Sequence, residues 1–377
     1  MIRRSTRFAT GLLSLGAHLG GQVVTLSRDV HASVRDSVHA TLGNRAATAY
    51  ADGVYGLVRA TFDLAGNGLA GLAQVIGDDD DDESERILTV TAAVNGVFGD
   101  LLEARQNPLA LEMQLRRPAP RDDAACNLLF IHGLCMHDRQ WLQGAHPSFV
   151  EWAQEHLAAE PMYLRYNSGR HISQNATDLA ALLEHFCATE SDRKLVIVGH
   201  SMGGLLTRGA LQVAKDNKMS WPSRLEAFVA LGSPHQGAGL EQLGNFANRQ
   251  LRILPWSAPF TRLGNLRSAG IRDLRYGNLR DADWQGHDDI EHTDDLRTPV
   301  ATPAGIRHLF IAATRTNSEQ PEREKALAGD LLVGVDSALA KDYPGTEQVD
   351  RRIIPALDHM GLLWDGRVYD QLRRWLR

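Results

Sequence analysis

From residue 126 onward the chain alternates short apolar runs with stretches of helical periodicity, and no other feature of its 377 residues constrains the fold as strongly. The runs are NLLFI (127–131), MYLRY (162–166), KLVIV (194–198), LEAFVAL (225–231), HLFIAAT (308–314) and QVDRRII (348–354). Each is too short for a helix and bounded by turn-forming residues, the pattern of strands buried in a parallel sheet with crossover helices between them. Helical spacing over 175–187 and 202–215 supplies two of those crossovers. Right-handed connections then wind helices onto both faces, so the expectation is an α/β fold with a doubly wound, mostly parallel sheet. About eighty residues separate the fourth run from the fifth, too many for a plain connection, so an insertion at about 232–307 is expected to cap the site.

One strand-to-helix junction carries chemistry. GHSMGG (199–204) follows KLVIV and precedes LLTRGALQVA, so its Gly-x-Ser-x-Gly pattern stands where a nucleophile elbow requires it. Gly199 and Gly203 leave room for a turn too sharp for side chains, and Gly204 permits close packing behind it. Ser201 is then the candidate nucleophile. A serine hydroxyl reacts only when a base, an orienting acid and an oxyanion site converge on it, and each should have its own place in the chain. The oxyanion site calls for the N–H of Met202, next after the serine, and a second from the turn in FIHGL (130–134), which falls to Leu134. His132 is expected to brace that turn and His200 to pack beside the elbow. A base is expected after the last strand, where IIPALDHMGLL presents His359; His308 lies instead at the start of a strand. For the acid, GDLLVGVDSAL offers Asp330 and Asp336. Asp330, directly after a glycine, has the position of a carboxylate fixed at a loop end, whereas Asp336 suits the turn before a helix.

Other function classes find little support. The net charge of −6 and the scattered basic residues give no nucleic-acid footprint. Cys126, Cys135 and Cys187 are odd in number, with no CxxC, and read as buried free thiols; modification of Cys135, near the expected site, would block access sterically. Residues 287–295 gather His287, Asp288, Asp289, Glu291, His292, Asp294 and Asp295, but a solvated acidic loop explains them without a metal. No metal and no cofactor are therefore expected.

Residues 1–77 read as Ala/Gly/Val-rich amphipathic helix, with Val54, Leu57, Val58, Phe62, Leu64 and Leu69 near helical spacing. Such a stripe needs a surface to cover: the catalytic domain, a second subunit in a homodimer, or a membrane surface as a peripheral contact. Residues 78–86 open with DDDDDESE, a self-repelling block expected to be an exposed linker. It lacks the ligand spacing and glycine of an EF-hand loop. A helix over 87–105 and an edge strand after Pro108, in LALEMQLRR, should open the 87–377 domain. The basic start and diluted apolar run of residues 8–27 make a poor export signal, so the expected location is cytoplasmic, with membrane association through the helices as the alternative to their packing on protein.

Six motifs in order, HGLCMHDRQW, RYNSGRHISQN, VIVGHSMGGLLTRGA, LGSPHQGAGLEQLGN, GDLLVGVDSAL and DHMGLL, resemble the bacterial lipase/esterase-type α/β-hydrolases related to GPI inositol-deacylase (PGAP1-like) over residues 87–377. In that family a Gly-Asp-Gly sequence carries the acid; here Leu331 stands where the second glycine is usual. The resemblance implies hydrolysis of a small-molecule or lipid-like carboxylic ester through an acyl-serine intermediate, without a cofactor. It does not imply a GPI lipid as substrate. An acyltransferase using the same residues and an idle lipid-binding or scaffold protein are the competing readings.

Overall fold

A computed structural model describes residues 10–11, 14–15, 85–189, 193–239, 268–286, 297–317 and 329–377. The expected helical segment 1–77 and acidic linker 78–86 thus lie outside the described residues apart from 10–11, 14–15 and 85–86, as do 240–267 and 287–296 of the insertion, the acidic stretch 287–295 included. The chain divides into two compact units. The smaller holds, among the described residues, 10–11, 14–15, 85–91 and 101–110, where Asn107 Nδ2 donates to Gly11 O at 3.0 Å. The larger holds the described residues of Ala92–Asp100, Leu111–Ala247 and Arg267–Arg377 and carries the sheet and the candidate site.

Helix α1 (Glu85–Ala104) leads into a seven-stranded sheet. Its strands are β1 (Gln114–Arg116), β2 (Cys126–Ile131), β3 (Ala159–Arg165), β4 (Lys194–His200), β5 (Leu225–Leu231), β6 (Arg307–Thr314) and β7 (Asp350–Pro355). Their order across the sheet is β1-β3-β2-β4-β5-β6-β7, parallel throughout except for antiparallel β1 at the edge. The apolar runs became strands because they are covered on both sides: β2 and β3 are buried at every position and β4 at all but Lys194. Two expectations shift. The strand after Pro108 is only three residues long, and β3 begins at Ala159, three residues before the apolar run, taking in the buried Glu160. That carboxylate is tolerated because Arg117 Nη2 (2.9 Å) and Arg193 Nη1 (3.1 Å) both bond it.

Between β2 and β3 lies α2 (His146–His156), between β3 and β4 α3 (Ile172–Thr189), and after β4 comes α4 (Met202–Asp216). Helices α3 and α4 pack together on one face of the sheet. The other face carries α2 and the last helix, α7 (Gly366–Leu376), which buries Val368, Tyr369, Leu372 and Leu376 at helical spacing and is capped by Asp365. In the insertion, α5 (Ala269–Tyr276) is the longest described helix, and α6 (Val335–Ala338) is a single turn before β7. The window 87–104 is apolar and long enough to cross a membrane, with a mean hydropathy of 1.3, yet 67% of it is buried within the structure, as in a core helix.

Candidate active site

The chemistry-bearing segments meet at the carboxyl ends of β2, β4, β5, β6 and β7, where parallel strands point their connecting loops. Ser201 occupies the turn between β4 and α4 with φ 53° and ψ −118°, a conformation unfavourable for a side-chain-bearing residue by about 1–2 kcal/mol. Surrounding backbone holds it there. Its N–H donates to Leu231 O at 2.8 Å. A Cβ on Gly203 would collide with Ile131 O, one on Gly204 with Ser233 Oγ, and one on Gly199 would lie 2.6 Å from Gly203 C. The three glycines are therefore needed so that β2, β5 and the start of α4 can close around the serine.

His359 and Asp330 meet beside it. His359 Nδ1 lies 2.6 Å from Asp330 Oδ2, and the His359 N–H donates to Asp330 O at 3.1 Å, so ring and backbone are both fixed to the same residue. Asp330 Oδ1 accepts from the N–H groups of Leu332 (3.0 Å) and Val333 (2.8 Å), which fixes the carboxylate's rotation. Both residues are buried. A Cβ on Gly232, at the end of β5, would lie 3.2 Å from the His359 ring. Asp336 points away in the first turn of α6, exposed and 3.6 Å from Lys341 Nζ, and Asp358 Oδ1 accepts from Gly361 N–H at 2.8 Å. No hydrogen bond joins Ser201 Oγ to His359 among the described residues; such bonds are commonly long before substrate binds.

The turn after β2 lies against Ser201. A Cβ on Gly133 would sit 2.9 Å from Ser201 Cβ. Neither the Leu134 N–H nor the Met202 N–H has an acceptor among the described residues, although both residues are buried. Buried amides are rarely left so, and a pair flanking one serine is a ready site for developing negative charge. His132 Nδ1 lies 2.9 Å from Gly133 O and its ring stacks on Tyr166; burial pushes its pKa down to about 4, so it braces the turn as a neutral ring. His200 is likewise held neutral by burial, and its Nε2 lies 3.0 Å from His359 O. Leu134, Pro234, Ala238, Leu274, Leu332 and Val333 line an apolar pocket together with Ser201. Among the described residues no group of three His, Cys, Asp or Glu is placed to hold a metal.

Residues 124–302, slightly less than half of the chain, match the family model for the PGAP1-like alpha/beta domain. The sheet and its flanking helices have the α/β-hydrolase fold. No curated protein matches the chain. Among solved structures it is similar to the mature-form lipase BlEst2 of Bacillus licheniformis at 16% identity, covering 70% of this chain and 98% of that one with a TM-score of 0.45. It is also similar to the naproxen esterase (carboxylesterase NP) of Bacillus subtilis, at 13% identity over 70% of this chain and 87% of that one, TM-score 0.40. A lipase-esterase related protein of Clostridium acetobutylicum gives 13% identity, 70% and 99% coverage and a TM-score of 0.42.

The fold also uses residues that sequence reasoning left without a role. Arg165 bonds Asp138 through Nε (2.6 Å) and Nη2 (3.2 Å), a buried pair tying the segment after β2 to β3. Ser168 Oγ accepts from Cys135 N–H at 3.0 Å, which holds the Leu134–Cys135 peptide where Cys135 takes φ 59°. All four lie in HGLCMHDRQW and RYNSGRHISQN, so the signal was present as two motifs without an assigned partner. The steric expectation for Cys135 is corrected: its thiol is buried under α1, where Gly96 leaves it room, and burial pushes its pKa up to about 12, so reagents neither reach nor activate it. Cys126 is buried as expected, while Cys187 is only partly so.

Leu331, where the resemblance leads one to expect glycine, adopts φ 85° with its side chain half exposed. Glycine takes that conformation without strain, although it adds unfolded-chain entropy. The Leu331→Gly variant is expected to match the wild type or gain up to about 1 kcal/mol in thermal or urea unfolding. A loss of more than about 1 kcal/mol would show that the leucine side chain packs on something this strain argument omits.

Proposed function

We propose that the domain is a serine hydrolase of carboxylic esters, with Ser201 as nucleophile, His359 as general base and acid, and Asp330 as the carboxylate that orients it. Ser201 Oγ attacks the ester carbonyl carbon while its proton passes to His359 Nε2 and Asp330 keeps the other ring proton on Nδ1. The carbonyl π pair moves onto oxygen, which accepts hydrogen bonds from the Leu134 and Met202 amides. Collapse breaks the bond to the alcohol oxygen, which takes the proton from His359 and departs. Water then loses a proton to the same ring as it attacks the acyl-serine, and the second collapse releases the carboxylic acid and returns the proton to Ser201 Oγ. These steps balance with water as the sole co-reactant.

The observation that carries this reading is the strained turn at Ser201, which sets a serine in the lining of an apolar pocket beside the Leu134 and Met202 N–H groups, neither of which has an acceptor among the described residues. A turn of that cost is retained where the conformation serves a purpose. An alkyl fluorophosphonate tests it, because only an activated serine is phosphonylated. Wild type is expected to gain one label, mapped by peptide mass to Ser201, and to hydrolyse p-nitrophenyl acetate, whereas Ser201→Ala does neither. A folded wild type that takes no label and turns over no ester would reject the hydrolase in favour of a binding role; ester products formed from an added alcohol in preference to acid would shift the reading to acyl transfer.

A further inference from the structure

Helix α5 contributes Leu274 to the wall of the pocket, and the way it is anchored bears on which esters the site accepts. The inference rests on Ser201 being the nucleophile. Helix α5 presents Leu274 to the pocket, and it is pinned at each turn by buried polar contacts. At its start, Ser268 Oγ donates to Gly96 O (2.7 Å), Ala269 N–H to Asp100 Oδ2 (2.8 Å) and Gly270 N–H to Gly169 O (3.1 Å). In the middle, Asp273 accepts from Ile172 N–H (2.7 Å) and Asn278 Nδ2 (3.2 Å) and lies 3.1 Å from His171 Nδ1. The ring of His171 is in turn stacked on Trp284, with centroids 3.6 Å apart and planes within 6°. Leu274 itself is fixed at its carbonyl, which accepts from Ala238 N–H at 3.0 Å, so the two pocket residues Leu274 and Ala238 are bound to each other through the backbone. Gly237 allows this approach, since a Cβ there would collide with Arg275 O.

Such a wall does not give way to a larger ligand. Moving α5 would strip the Ile172 and Asn278 donors from the Asp273 carboxylate, whose pKa burial already pushes up, and would strip acceptors from the Ala238, Ala269 and Gly270 amides. The wall is therefore preformed, and among the described residues every side chain lining the pocket apart from Ser201 is apolar. An apolar, fixed recess beside the serine suits the alkyl part of the acid, which stays bonded while the more polar alcohol leaves for water. We infer that this is a short-acyl site, with Leu274 on α5 and the facing Ala238 setting the acyl length.

Hydrolysis of p-nitrophenyl acetate, butyrate, hexanoate and octanoate by the full chain tests this. Wild type is expected to favour acetate and butyrate. Leu274→Ala should move the optimum to hexanoate or octanoate, raising kcat/KM for the longer ester by about tenfold or more, and Leu274→Val should do so by less. Ala238→Leu should suppress butyrate more than acetate. Should Leu274→Ala fail to fold, the graded pair Leu274→Val and Ala238→Leu still decides, because they must shift the profile in opposite directions. An unchanged chain-length profile in active variants, or a wild type that already prefers octanoate, overturns the pocket assignment while leaving the nucleophile intact. A wild type inert to every ester and to fluorophosphonate overturns the hydrolase reading and this inference together.

Discussion

Ser201→Ala is expected to lose ester hydrolysis by about 10⁴–10⁶-fold in kcat/KM while remaining folded, and His359→Ala to lose a similar amount. The size follows from cooperation. Without the hydroxyl the base has no proton to take, and without the base the hydroxyl stays a poor nucleophile, so either loss leaves only binding and the two amides. The double variant should be no slower than the worse single one, because groups acting as a unit are not additive. Folding should survive because the turn is held by Gly199, Gly203, Gly204 and the bond from Ser201 N–H to Leu231 O, none of which involves Oγ. Steady-state kinetics with a circular-dichroism melt beside them check both points. Turnover within tenfold of wild type in either folded variant would remove Ser201 or His359 from the proposed mechanism.

Asp330→Asn should lower kcat by about 10³–10⁴-fold, with KM changed far less. The asparagine keeps an oxygen for the Leu332 and Val333 amides, so the loop retains its acceptor. Its NH₂ group then faces His359 Nδ1, now 2.6 Å from a carboxylate oxygen, and pushes the ring proton to Nε2, where the lone pair is needed. Asp336→Asn serves as the control. That side chain is exposed beside Lys341, and its loss should change rates by less than about threefold. A large drop in Asp336→Asn with little change in Asp330→Asn would exchange their roles.

What could be read from the sequence was set by short-range physics. LEAFVAL became β5 residue for residue because an apolar run of that length between turn residues has one economical use, a buried strand. The strand, glycine turn and helix around Ser201 were equally legible, since the need for Gly199, Gly203 and Gly204 arises from contacts that the chain makes wherever β4 runs into α4 beside β2 and β5. The three-residue edge strand β1 is shorter than LALEMQLRR suggests for the opposite reason: an edge strand is paired on one side only, and little in its own residues fixes where pairing stops.

The sequence by itself determined the doubly wound sheet, the turn that carries Ser201 and the candidacy of His359, because hydrophobic period and glycine placement act within a few residues. Only the tertiary structure decided which carboxylate reaches the His359 ring, since Asp330 and Asp336 lie six positions apart in one apolar segment and differ in whether the loop turns them inward. It likewise decided that Arg165 meets Asp138, that Ser168 fixes Cys135, and that Asp273 pins the wall bearing Leu274. Each of these joins residues far apart in the chain, and a buried polar side chain gains its partner from the face it meets rather than from its neighbours in sequence.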